Sequence, residues 1–135
     1  MEPIVWSEKF SVGVKLFDDQ HRMLISMLNE IIKDPMMTTK SKTVSDVLKG
    51  MTRYAQEHFK SEEKLMVKHG YPQREQHKNQ HQEFKGKVTE LGKATTYGID
   101  VVPQVLLEFL QQWLTQHIMH EDMEYKPFFE KKGVK

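Results

Sequence analysis

Two histidines, His77 and His81, stand four residues apart in "HKNQH". His58 stands four before Glu62 in "HFKSE", His117 stands five before Asp122 in "HIMHED", and His21 closes "FDDQH". Imidazoles and carboxylates are transition-metal ligands. In a helix, four residues return to within about 40° of the start, so each four-residue pair points one way. Five imidazoles favour iron, zinc or copper over magnesium or calcium. Seven donors exceed what one ion takes and suit two, and two carboxylates can bridge a pair of cations. Two divalent ions, Glu62, Asp122 and a bridging hydroxide sum to about +1, which a buried site tolerates far better than bare charges.

Such a cluster needs a scaffold that holds every donor on one inward surface. Helical periodicity dominates the chain and strand signals are scarce. Residues 1–17 read as an irregular arm offering Trp6, Phe10, Val12 and Val14 for packing. The first helix is expected to start at Asp18 or Asp19 as its cap and to stop before Pro35. Its apolar stripe is Phe17, Leu24, Leu28 and Ile31, with His21 in the series. The second carries Val44, Val47, Met51, Tyr54 and Leu65 on a heptad-like row with His58. "HGYP" supplies a glycine to end it and a proline to open the third, which holds His77, His81, Phe84, Val88 and Leu91. Asp100 is a cap candidate for the fourth, where Val102, Leu106, Phe109, Trp113 and His117 recur. "EYKPFFEKKGVK" reads as a short helical tail or arm ending in disorder.

Short loops between four helices predict an all-α, up-down-up-down antiparallel four-helix bundle with an irregular N-terminal arm and a short C-terminal helical tail. In that arrangement His21 lies near the start of its helix, His58 and Glu62 near an end, His77 and His81 near a start, and His117 near an end. Start, end, start, end is one end of the bundle. Any one of these histidines alone reads more simply as a solvated or satisfied side chain; the shared level argues for a centre. His117 and Asp122 lie roughly 140° apart on an ideal helix, so reaching one centre requires a wide turn of the π type between them.

The chain has 135 residues, a net charge of +1 and no cysteine. That suits one domain over residues 1–135 and gives no electrostatic case for nucleic acid or an anionic membrane. Disulfides, thiolate metal sites and cysteine nucleophiles are excluded. The N-terminus has no signal-peptide pattern and no apolar run of membrane length, so a cytoplasmic protein without membrane insertion is expected. His69, before Gly70, reads as a surface or capping histidine, and His120 as solvent-facing. The nine methionines are scattered. Met23, Met27, Met51 and Met66 fit core rows rather than a copper site.

Taken together, "DDQH", "HFKSE", "HKNQH" and "WLTQHIMHED" resemble the hemerythrin family in its single-domain bacterial form, over nearly the whole chain. The resemblance implies two non-haem iron ions joined by an oxo or hydroxo bridge. One would be held by His77, His81 and His117, the other by His21 and His58, with Glu62 and Asp122 bridging. The second iron then keeps an open position for O2. Trp113, Leu114 and Ile118, with Phe59, would form an apolar O2 pocket. The implied function is reversible O2 binding for storage, transport or delivery to an oxygen-consuming enzyme, by a protein that is not itself an enzyme; no feature of the chain commits it to a larger assembly, and a monomer is expected by default. The alternatives are an O2 or redox sensor, a diiron oxidase or peroxidase on the same scaffold, and a dizinc hydrolase or metal store. No histidine has a glutamate three residues before it, which argues against the carboxylate-rich diiron enzymes.

Overall fold

A computed structural model describes residues 2–135. The described residues form helices joined by turns and irregular segments, with no strand among them. A short 3₁₀ turn (Glu8–Phe10) in the arm precedes α1 (Lys15–Ile32). Next, α2 (Lys42–Tyr54) runs through a π segment (Ala55–Phe59) into α3 (Lys60–His69). The third rod is α4 (Arg74–Thr96). Then α5 (Val102–Gln112) runs through a second π segment (Trp113–Asp122) into α6 (Met123–Lys131). These make four continuous rods, helices A to D, with A against B and D, and C against B and D. This is the expected up-down-up-down bundle.

The inward stripe of α1 is Phe17, Gln20, His21, Leu24, Ile25, Leu28 and Ile31, which follows the 3.6-residue repeat. The helix starts at Lys15, before the expected cap. Asp18 instead reaches back from the first turn: Ser11 Oγ donates to its Oδ2 at 2.6 Å and the Val12 amide to its Oδ1 at 2.8 Å. A carboxylate in that turn also faces the positive end of the helix dipole. The arm is pinned along helix A by a reciprocal pair: the Ile4 amide donates to Asn29 Oδ1 (2.7 Å), and Asn29 Nδ2 donates to the Ile4 carbonyl (2.8 Å).

Other expectations shift by a residue or more. Met66 is buried in place of Leu65, because the π segment at 55–59 displaces the α phase of the residues beyond it. Leu110 is fully buried while Phe109 is only partly covered. Met23 is exposed rather than core. Gly70 ends helix B in the left-handed conformation (φ 72°), as the sequence suggests, but Pro72 lies in the turn before α4 rather than opening it. Asp100 makes no cap hydrogen bond to α5. The tail is a continuation of helix D: α6 carries Pro127 internally and buries Tyr125 and Phe129.

The apolar interior is two clusters. The larger runs along the bundle from Leu24, Leu28 and Ile31 through Val44, Met51 and Leu106 to Trp113 and Ile118. The smaller closes one end, joining Val12, Val14 and Phe17 to Met66, Tyr71, Tyr125 and Phe129. No helix among the described residues is long and apolar enough to cross a membrane.

Candidate metal centre

Between the two clusters lies a layer that is not apolar. His21, His58, Glu62, His81 and Asp122 are fully buried there, and His77 and His117 are 3% exposed. All seven residues predicted to be ligands converge. They form two overlapping groups: Glu62 with His77, His81 and His117, and His21 and His58 with Glu62 and Asp122.

Each carboxylate touches both histidine groups. Glu62 Oε1 lies 2.9 Å from His58 Nε2 and 3.2 Å from His81 Nε2. Asp122 Oδ2 lies 3.0 Å from His21 Nε2, while its Oδ1 lies 2.8 Å from His77 Nε2 and 3.0 Å from His117 Nε2. These atoms are close but poorly aligned on one another. Among the described residues, both oxygens of Glu62 and of Asp122, and Nε2 of His77, His81 and His117, find no properly directed hydrogen bond. Left so, each would cost a few kcal/mol or more. A donor set aimed at shared points rather than at one another is what a pair of cations requires, so these residues fit the metals the sequence implies.

Asp122 reaches the centre because helix D is π-wound from Trp113 to Asp122. The i→i+5 hydrogen bonds of a π turn stack residues five apart, which brings His117 and Asp122 onto one face. This is the wide turn expected from their spacing. Helix B also contains a π segment, which nothing in the spacing of its residues announces.

Outer residues hold two of the rings. The His58 Nδ1–H donates to Gln20 Oε1 at 2.5 Å, and the His81 Nδ1–H donates to Glu63 Oε2 at 3.0 Å. Each bond fixes the tautomer that leaves Nε2 free to ligate. Neither residue is among those predicted from the sequence, although each is the immediate chain neighbour of a ligand, His21 or Glu62.

The electrostatics follow from crowding charges out of water. Burial pushes the Glu62 carboxyl up, but His58, His77 and His81 around it reverse this and hold it well below its ordinary value. Burial and the charge of Glu62 push Asp122 up, and His117 and His21 outweigh both. Burial pulls His77 down, yet Asp122 and Glu62 raise it to about 10. Burial lowers His58 despite Glu62. Tyr54 and Tyr125 are raised well above the usual phenol value, first by burial and then by the two carboxylates.

The expected O2-pocket residues are all buried, and the two aromatic ones stack on ligand rings. Phe59 stacks on His81 (centroids 3.9 Å apart, planes at 5°) and Trp113 on His117 (3.9 Å, 14°). Both therefore brace the three-histidine group. All four, Leu114 and Ile118 included, belong to the large apolar cluster. His120 is exposed, 3.9 Å from Glu124, and His69 turns its ring toward Phe129; neither joins the centre.

Fold and site thus define a helical bundle with a buried place for paired cations. The chain belongs to the hemerythrin family: residues 12–129 match the hemerythrin HHE cation binding domain. It is 31% identical over 125 residues to a bacteriohemerythrin of Clostridium acetobutylicum, covering 90% of this chain and 97% of that protein. It is 32% identical over 126 residues to the myohemerythrin of Sipunculus nudus, covering 93% and 92%. A crystal structure of wild-type hemerythrin superposes with a TM-score of 0.75 at 30% identity, covering 93% of this chain and 97% of that one.

Proposed function

We propose that residues 1–135 act as one hemerythrin-like unit that holds two iron ions and binds O2 reversibly, for storage, transport or delivery. The observation that carries this reading is the three-to-two division of five imidazoles about two carboxylates, each of which touches both groups. His77, His81 and His117 would hold one iron, His21 and His58 the other, with Glu62 and Asp122 across the pair. Ferrous ions held by these residues would supply the two electrons that reversible O2 binding draws on.

The chain's own part is to position and to seal. Gln20 and Glu63 orient His58 and His81. Phe59 and Trp113 clamp rings of the three-histidine group. The end cluster of Phe17, Tyr125 and Phe129 covers both groups from one side: the Phe17 ring meets His58 edge-on at 5.7 Å and the Tyr125 ring lies 5.7 Å from His77.

The test is anaerobic. Iron per chain is measured, the protein is reduced, O2 is added, and the visible charge-transfer absorption is followed as O2 is removed again. Two irons and a colour that appears and fades reversibly are expected. Rapid, irreversible oxidation would overturn the carrier reading. Replacing Leu114 or Ile118 is expected to spare iron loading and change the rate of oxidation or O2 release. Unchanged rates would remove both from the pocket.

A further inference from the structure

The centre is sealed on most sides, which raises the question of how an ion reaches it. Only His77 and His117, of the seven proposed ligands, have any exposure. His117 forms part of the wall of a surface cavity of about 290 Å³ between α4 and the π segment of helix D, beside Gln80, Glu83, Gln112, Gln116 and Glu121. Glu83 is exposed and Glu121 half-buried, at the rim. Below them, Gln80 Oε1 is buried and finds no hydrogen-bond partner among the described residues. At the floor, His117 is 3% exposed, and neither of its ring nitrogens is partnered. The lining contains two carboxylates, three amides and an imidazole, and no lysine or arginine. The groove over Glu63 is the reverse, lined by Lys60, Lys64 and Lys85. The groove beside Leu114 reaches none of the seven ligands.

We propose that the cavity over His117 is the port through which a divalent metal ion enters the centre. This rests on the reading of the centre as a metal site. Glu83 and Glu121 collect the hydrated cation; a concave rim of one charge sign raises local counter-ion concentration and the association rate by about 10–10³-fold. The amide oxygens of Gln80, Gln112 and Gln116 replace its water one ligand at a time, as hard oxygen donors suit a hydrated divalent ion. His117 is the first buried donor it meets. From there Asp122 Oδ1, 3.0 Å from His117 Nε2, leads inward. The lysine-lined groove repels the same ion.

The test is the uptake rate of cobalt(II) by the chelator-stripped full chain, read by the visible absorption of bound cobalt and by quenching of tryptophan fluorescence, since Trp113 stacks on His117. The double variant E83Q/E121Q is expected to slow uptake about tenfold at low salt, and the difference is expected to vanish at high salt. Final metal per chain and the Tm of the loaded protein stay as in wild type. The control E108Q, at the groove beside Leu114, keeps the wild-type rate. An unchanged rate in the double variant overturns the port while leaving the centre intact. A lowered final metal content also overturns it, because the two carboxylates would then belong to the centre itself. Failure of wild type to bind any divalent ion overturns the reading of the centre first, and the port with it.

Discussion

Helices B and D differ from A and C in two ways, and the two go together. B and D each contribute one imidazole and one carboxylate to the centre, and each is π-wound there. A and C contribute imidazoles alone and are regular α-helices. A histidine pair on α4 needs nothing beyond the ordinary four-residue return. A carboxylate that must touch both histidine groups has to lie on the bundle axis, between rods, and a regular helix sets its side chains at fixed angles. One wide turn re-aims the residues beyond it, which is why π turns recur at functional sites. The irregular helices are therefore the ones that join the two halves of the centre.

The largest effect should come from cutting that join. Glu62→Ala removes a carboxylate that touches His58 on one side and His81 on the other, so metal analysis should find almost no iron. His21→Ala removes a donor of one group only, and about one iron per chain should remain. Loss of bound metal also removes its stabilisation, about 2.7 kcal/mol at a hundredfold excess over Kd. Equal iron in the two variants would break the distinction between joining and terminal ligands. The next largest effect tests whether helix D beyond its π segment is structural. Phe129 is fully buried in the end cluster, and Phe129→Ala should cost about 3–5 kcal/mol in denaturant unfolding. Phe128→Ala, at a partly covered neighbour, should cost about 1 kcal/mol. Similar small costs at both would return residues 123–131 to the status of a tail.

Smaller effects are expected one layer out. Gln20 on helix A supports His58 on B, and Glu63 on B supports His81 on C, so the regular and irregular rods brace one another. Gln20→Ala and Glu63→Ala should each weaken metal affinity by about 10–100-fold, or about 1.4–2.8 kcal/mol, in competition with a chelator. Wild-type affinity in both would mean that packing alone orients the rings.

The seven donors are legible in the sequence because their chemistry restricts the residue types and the 3.6-residue repeat restricts their spacing. The π turn in helix D is legible for a related reason: His117 and Asp122, five apart, conflict with an ideal helix. The π turn in helix B leaves no such conflict, since His58 and Glu62 are four apart and satisfy an α-helix. Its trace is the exchange of Leu65 for Met66 in the core, visible only with the partner helices in place. Gln20 and Glu63 are hidden because a polar residue beside a ligand reads equally well as a solvated face. The caps expected at Asp18 and Asp100 are misplaced for different reasons: Asp18 sits inside the first turn of α1 and bonds back to Ser11 and Val12, while Asp100 lies in the turn that leads into α5. Pro127 conceals α6: a proline breaks a helix on propensity, yet the burial of Tyr125 and Phe129 on either side outweighs the missing hydrogen bond.

The smallest predicted effect separates helix C from helix B by backbone alone. Gly86 and Gly92 lie inside α4, and a Cβ at either would meet nothing within 4 Å. Alanine there removes conformational freedom from the unfolded chain and adds no clash, so each substitution should stabilise by about 0.5–1 kcal/mol. Gly50 lies inside α2, and its Cβ would stand 2.6 Å from Met27 Sδ on helix A. The same propensity gain is then set against displacement of a packed side chain, and Gly50→Ala should fall short of the other two by about 1 kcal/mol or more. Iron content should be unchanged in all three, because none approaches the centre. Equal stabilisation at all three sites would show that Met27 yields freely and that the contact between helices A and B is looser than the packing implies. A loss at Gly86 or Gly92 would contradict the solvent-facing register assigned to helix C, and with it the inward placement of His77 and His81.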